Sequence, residues 1–184
     1  AEIHCRLIVE RMSPLWDIEV LTTCARDYVK RFNNDYPPGQ VGVNGITVRR
    51  FEIDYLRSDD STFSELDKKV LKRQSNHKED MLWLKEVGPY SSKLISYVRR
   101  NREAYDLFVF FGYLYASTTL VLPLVREKAC LVPTSHNEPP IYARFYDDFF
   151  KLPRMLIVST EEELSFLRKR TSGNMAPAIR VGVG

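Results

Sequence analysis

The sequence lacks several features that would each define a class of protein. No apolar run approaches the roughly 18 residues of a transmembrane helix, so we expect no membrane-spanning segment. The three cysteines, Cys5, Cys24 and Cys130, are an odd number without a Cys-x-x-Cys pair. This argues against a disulfide framework and a structural zinc site, and it favours a reducing compartment such as the cytoplasm.

Motifs for nucleotides, nucleic acids and metals are also missing. Neither a P-loop nor an intact Gly-x-Gly-x-x-Gly occurs. The net charge of +3 is small, and no basic and aromatic cluster has the spacing of a nucleic-acid-binding motif, so nucleic acid is not an expected partner. No Asp-x-Asp pair ends a predicted strand and the acidic residues show no metal-ligand spacing, so no metal is expected either.

The remaining composition is typical of one globular domain. The chain has 184 residues, of which 44% are hydrophobic and 28% charged, enough to bury a core of its own. It starts at Ala1 without an initiator Met or a leader-like segment, and we therefore expect an excised or processed piece of a longer protein.

Short apolar runs that alternate with helical patterns predict an α/β fold. Several of these runs are apolar throughout, which is typical of a mainly parallel sheet with helices on both faces, a doubly wound Rossmann-like arrangement. Helical patterns are recognised at 1–12, 115–125, 141–150 and 160–170, the last with Thr160 and Glu163 as a capping box. The predicted strands are 18–22, 46–53, 106–111, 129–132, 154–158 and 178–183.

The region 54–104 is charged and helical in pattern. Thr62 and Glu65 have the spacing of a capping box, and a further helix is expected to begin near Ser91. Two readings of its basic pairs remain open: solvated helix faces, or a surface for anionic lipid headgroups that would give the protein a peripheral membrane contact. These pairs are Lys68 with Lys69, Lys72 with Arg73, and Arg99 with Arg100.

A polar segment follows the apolar run 129–132. Pro133 ends the strand pattern, and residues 134–138 then carry two hydroxyls, an imidazole, an amide and a carboxylate before Pro139 and Pro140. Such a strand-to-helix corner lies at the carboxyl end of a parallel strand, where α/β proteins bind ligands. The segment can also be ordinary turn chemistry, and both interpretations stand at this point.

The order of these segments resembles the amino-terminal, acceptor-side domain of GT-B glycosyltransferases, in particular the large retaining family, similar to glycosyltransferase family 4, that uses nucleotide-sugar donors. Two parts of that family's pattern are missing here. These are the first strand with its Gly-Gly turn, and the second, donor-binding domain that would follow Gly184. The similar stretches are 17–23, 43–48, 106–111, 133–136 and 159–163.

The resemblance implies one half of a GT-B fold over 1–184, with 54–104 as a helical insertion region. It also implies transfer of a sugar from a nucleotide sugar to a glycan or lipid-linked acceptor, with no metal or other cofactor. His136 would be the catalytic residue, acting on a sugar hydroxyl or a proton. Acceptor-binding residues would be Thr134, Ser135, Asn137, Glu138, Tyr113 and Tyr115, and donor-binding residues would be Glu2 and His4.

Two other functions are compatible with the sequence. One is a non-catalytic glycosyltransferase-like module that binds a partner or regulates a glycan-assembly complex. The other is an unrelated nucleotide-binding α/β protein, which the missing phosphate-binding motifs disfavour. A second domain with paired glutamates after Gly184 would favour the enzyme over the module.

Overall fold

The computed structural model describes residues 2–26 and 31–182. In these ranges the strands are β1 (Glu19–Thr23), β2 (Gly39–Val43), β3 (Ile46–Phe51), β4 (Phe108–Phe111), β5 (Ala129–Val132), β6 (Met155–Val158) and β7 (Ala178–Arg180). The α-helices are α1 (Glu2–Met12), α2 (Asp60–Leu71), α3 (His77–Glu86), α4 (Ser92–Asn101), α5 (Ala116–Thr119) and α6 (Glu161–Arg170). Short 3-10 helices connect several of them.

The carboxyl-terminal half forms a four-stranded, all-parallel sheet with the strand order β4-β5-β6-β7. In the register, Phe111 lies opposite Val132, and Leu131 lies opposite Leu156. All four residues of β5 are buried, as expected for a strand covered by helical segments. The prediction of an α/β fold with a parallel sheet is confirmed for this half.

A second sheet has the order β1-β3-β2, in which β1 is parallel to β3 and β2 is antiparallel to it. A hairpin joins β2 to β3 through Asn44 and Gly45, whose φ angles of 50° and 79° suit a two-residue turn. The expectation of one sheet containing all the runs is therefore wrong. In addition, β2 was not predicted, and all five of its residues are exposed.

The two sheets approach each other along the edges of β1 and β4. Glu19, at the start of β1, accepts hydrogen bonds from the hydroxyls of Tyr105, just before β4, and of Tyr97 in α4. Thr23, at the end of β1, and Ala116, which follows β4 at the start of α5, line the same narrow cavity. In the described part of the chain no strand pairs with these edges of β1 and β4.

Helix α1 bridges the two sheets. Near its amino end, the ring of His4 packs edge-on against Phe111 at the end of β4, with ring centroids 5.8 Å apart. Near its carboxyl end, Glu10 accepts a 2.6 Å hydrogen bond from Asn44 Nδ2 in the β2–β3 turn. Because that turn precedes β3, α1 runs opposite to the parallel strands, as crossover helices do.

The region 54–104 is helical, as predicted, but its first helix begins earlier than the Thr62–Glu65 pattern indicates. Asp59 caps α2, and its carboxylate accepts from the backbone N–H and the hydroxyl of Thr62. A full capping box of Asn76 and Glu79 starts α3 and went unrecognised in the sequence. Ser91 caps α4, which confirms the predicted start of that helix.

The predicted helix over 141–150 is wrong, because the segment consists of short 3-10 helices. Its aromatic spacing is helical, but two of its carbonyls are used elsewhere. Arg170 donates two bonds to the Ile141 carbonyl, at 3.1 and 2.9 Å, and Arg73 donates two to the Tyr142 carbonyl, at 3.2 and 3.0 Å. These long-range bonds replace the i to i+4 bonds of an α-helix.

The predicted helix over 115–125 is also shorter than expected. Only α5 is α-helical there, and 3-10 turns follow it. Pro123 accounts for the early end, since a proline inside a helix removes an N–H donor and clashes with the preceding turn. The predicted last strand is similarly short, with β7 ending at Arg180 and residues 183–184 lying outside the described residues.

Candidate functional site

The ends of β4 and β5 lie side by side at the carboxyl edge of the parallel sheet. Two hydrogen bonds continue the strand pairing beyond the strands themselves, from Gly112 N to the Val132 carbonyl at 2.9 Å and from Tyr113 N to the Pro133 carbonyl at 3.1 Å. Tyr113 therefore stands next to the segment 133–138, which we call the β5 corner. Both places contain residues predicted to belong to the site, and the fold brings them together.

Three side chains at this edge form a connected chain of contacts. The Tyr113 hydroxyl donates a 2.6 Å hydrogen bond to Glu138 Oε1, and Glu138 Oε2 lies 3.3 Å from His136 Nε2. Tyr113 is only 2% exposed, whereas the side chain of His136 is 71% exposed. One carboxylate thus connects a buried phenol to an imidazole that faces solvent.

The electrostatics fit these roles. Burial, followed by the hydrogen bond to Glu138, raises the pKa of Tyr113 well above its ordinary value, so the phenol remains a donor. The imidazole of His136 lies beside this carboxylate and is largely exposed, so a molecule in the solvent can reach its ring nitrogens. An exposed imidazole beside a carboxylate can accept a hydrogen bond or a proton from a hydroxyl.

The remaining residues of the β5 corner have different contacts. Thr134 has a positive φ of 49°, which is unusual for a β-branched residue. Ser135 is buried, and its backbone N–H and hydroxyl donate to Glu163 at 2.6 and 3.2 Å. Asn137 is exposed and accepts a 2.8 Å hydrogen bond from the Tyr142 hydroxyl.

The described contacts of Tyr115 are with residues other than His136. Its ring packs edge-on against Phe32 at 6.1 Å, and its carbonyl accepts from the N–H groups of Thr118 and Thr119 in the first turn of α5. These contacts give Tyr115 a structural role beside the site.

The two residues expected on the donor side lie in the first turn of α1. His4 contacts Phe111, so it is close to the carboxyl end of β4, one strand away from the β5 corner. Glu2 is exposed at the start of the helix. The structure thus places His4, Tyr113 and His136 along one edge of the parallel sheet, although no contact joins His4 to the other two among those described.

Sequence reasoning missed the second role of Glu163 and the contribution of Tyr142. Glu163 matches a capping-box spacing, and that local pattern hides its bond to a residue 28 positions away. Tyr142 lies in the segment predicted to be helical, and only the observed 3-10 turns bring its hydroxyl to Asn137.

Within residues 2–26 and 31–182 no group of three or more His, Cys, Asp or Glu side chains is arranged to hold a metal ion. Among the described helices, none combines the length and apolar character needed to cross a bilayer. Comparison with family models, with curated proteins and with solved structures finds no match for this chain.

Proposed function

We propose that this chain is the acceptor-side domain of a GT-B glycosyltransferase that moves a sugar from a nucleotide sugar to a glycan or lipid-linked acceptor. The observation that carries the proposal is the contact chain of Tyr113, Glu138 and His136 at the carboxyl edge of a parallel sheet. Ligands bind at this edge in open α/β sheets. An exposed imidazole beside a carboxylate is suited to a sugar hydroxyl.

The surrounding residues suit a carbohydrate. The exposed amide of Asn137 and the carboxylate of Glu138, which is half-buried, provide donors and acceptors within two residues of His136. Sugar transfer passes through an oxocarbenium-like state and does not require a metal if other groups stabilise the leaving diphosphate. In the proposed enzyme those groups, and most contacts to the donor, belong to a second domain of the same polypeptide.

The experiment is a transfer assay on a polypeptide that joins this chain to its donor-binding domain. If His136 contacts the reacting sugars, His136→Ala lowers transfer by about 100-fold or more, within the ~10²–10⁴-fold typical of acid–base groups. His136→Asn retains part of the activity if a hydrogen bond is enough, and little if the imidazole handles a proton. His77→Ala is the matched control, because His77 is an exposed imidazole at the start of α3. Near-normal transfer by a folded His136→Ala protein would contradict the proposal.

A non-catalytic module is the second candidate, and one observation favours it. Leu15 and Trp16, between α1 and β1, are 82% and 56% exposed, and Ile3 on α1 is 77% exposed. Contiguous exposed apolar groups are typical of surfaces that bind a partner, and Leu15 and Trp16 are adjacent in the chain. A joined polypeptide that binds a partner through Trp16, yet transfers no sugar with any donor, would favour this function over the enzyme.

A further inference from the structure

Glu163, the third residue of α6, connects the ends of two strands. Its Oε1 accepts from the backbone N–H of Ser135 at 2.6 Å and from the Ser135 hydroxyl at 3.2 Å. Its Oε2 accepts from the backbone N–H of Ser159 at 3.0 Å. The residue is only 8% exposed, while its neighbours Glu161 and Glu162 are exposed. A buried carboxylate is stable in such a place only when several donors surround it.

The carboxylate of Glu163 does not make the usual helix-capping bond. The Thr160 hydroxyl accepts from the N–H of Glu163 at 3.1 Å, as in a capping box. The reciprocal bond differs, because the carboxylate accepts from Ser159, one residue before the cap, and from Ser135. In α3 the equivalent glutamate, Glu79, completes the ordinary box by accepting from Asn76 N at 2.9 Å. Capping alone therefore does not account for the position of Glu163.

Ser135, which donates two of these hydrogen bonds, directly follows a residue with a strained backbone. Thr134, the preceding residue, has a φ of 49°, a region that β-branched residues disfavour. His136, the following residue, carries the exposed imidazole that lies 3.3 Å from Glu138. A strained backbone segment keeps one conformation only if its surroundings fix it. Glu163 provides a charged hydrogen-bond acceptor for Ser135, which lies between the strained Thr134 and His136.

We propose that Glu163 is the positioning residue of the candidate site. By holding Ser135 against the amino end of α6, it fixes the backbone from Thr134 to Glu138, and the imidazole of His136 then remains beside the carboxylate of Glu138. This inference rests on the proposed function in one respect, because the expected effect of the positioning is the binding of a sugar hydroxyl. The positioning itself is a property of the chain and is measurable without any ligand.

The test compares two variants of the 184-residue chain. Glu163→Gln keeps the size of the side chain but replaces one acceptor oxygen by an NH₂ group, which cannot accept from an N–H. Glu162→Gln is the matched control, because it removes the same charge from the same helical turn and leaves the bonds from Ser135 and Ser159 to the Glu163 carboxylate in place. Backbone ¹⁵N relaxation gives order parameters for residues 134–138, and titration with methyl hexopyranosides as probes gives saccharide affinity.

In the wild type and in Glu162→Gln we expect order parameters near about 0.85 for residues 134–138, the value of a rigid backbone. In Glu163→Gln we expect them to fall below about 0.6 while those of β5 remain high. We also expect saccharide affinity to fall by about tenfold, which corresponds to about 1.4 kcal/mol. A residue that only stabilises the fold would lower the melting temperature without these local changes.

The outcomes separate the two proposals. A rigid corner in folded Glu163→Gln, with wild-type saccharide affinity, would overturn the positioning role. A second outcome is that neither the wild type nor the variants bind the saccharide, while residues 134–138 become mobile only in Glu163→Gln. That outcome would reject the proposed function and keep the positioning role. If Glu163→Gln does not fold, Glu163→Asp decides, because it keeps the charge at the amino end of α6 and shortens the side chain so that it no longer reaches both Ser135 and Ser159. Greater mobility of residues 134–138 in that variant supports the inference, and unchanged mobility contradicts it.

Discussion

The two sheets of this protein differ in burial although both contain parallel strands. In the four-stranded sheet, Leu131 and Leu156 are completely buried and pair with each other across β5 and β6. In the three-stranded sheet, every residue of β2 is exposed, and Ile46 of β3 and Thr23 of β1 are the buried positions. The candidate site lies on the sheet with the packed core. Catalytic and binding residues generally lie on loops that a rigid scaffold positions, which supports the choice of this edge.

Deletion of core side chains should show the largest difference between the sheets. Leu131→Ala or Leu156→Ala leaves a cavity in a fully packed interior and is expected to lower the free energy of unfolding by about 2–5 kcal/mol. Val41→Ala, in β2, should change it by no more than about 0.5 kcal/mol because Val41 is 40% exposed. Urea unfolding followed by circular dichroism measures both. Similar losses for Leu131→Ala and Val41→Ala would show that the two sheets are equally packed.

The contact between the sheets should have an intermediate effect. Tyr105→Phe removes one hydroxyl donor to Glu19 and leaves the bond from Arg49 Nε to Glu19, at 2.7 Å, in place. A hydrogen bond to a carboxylate contributes about 1.5–3 kcal/mol when buried, and partial exposure here reduces the expected loss to about 1 kcal/mol. Tyr36→Phe is the control, since Tyr36 is exposed and its ring contact with Arg50 does not need the hydroxyl. Equal unfolding free energies for the two variants would contradict a stabilising contact at Glu19.

The smallest expected effect concerns pH and the start of α2, outside both sheets. The hydroxyl of Ser61 and then the N–H of Thr62 lower the pKa of Asp59 to about 2. Because the folded-state pKa is below that of the unfolded chain, near about 3.9, this cap stabilises the helix above pH ~4 and is lost as the pH falls toward about 2.

Carboxyl ¹³C titration gives the pKa of Asp59 directly, and amide exchange in α2 should accelerate over the same pH range. In Asp59→Ala the exchange in α2 should already be fast at pH 6. Asp60→Asn is the control, because it removes a carboxylate from the same turn and leaves the cap in place. An Asp59 pKa close to the unfolded value would show that the cap does not form in solution.

The sequence predicted the buried sheet better than the exposed one, for a physical reason. Strands β4, β5 and β6 consist almost entirely of apolar residues, and β5 is buried in every residue, so their pattern is visible locally. Strand β2 contains Gly39 and Gly42, which have low strand propensity, and it exists through its pairing with β3. The division into two sheets depends on contacts between distant segments, which no local pattern encodes.

The candidate site was predictable in part. The polar segment after β5 was identifiable from the strand end and Tyr113 from the family resemblance, and the fold places Tyr113 and His136 in contact with Glu138. The bond between Ser135 and Glu163 was not identifiable, because 28 residues separate its partners. Asn137 contacts Tyr142 only because arginines from other elements hold the segment after Glu138 out of an α-helix.

The most direct test of the central claim is a ¹H–¹⁵N titration of the 184-residue chain with methyl hexopyranosides and, separately, with a panel of nucleotide sugars. We expect the hexopyranosides to shift the amides of Tyr113 and of residues 135–138, and the shifts to disappear in His136→Ala. We expect nucleotide sugars to bind weakly, with dissociation constants above about 1 mM, or about −4 kcal/mol. Binding of a nucleotide sugar at about 1 μM, or hexopyranoside shifts that leave the β5 corner unaffected, would contradict the account.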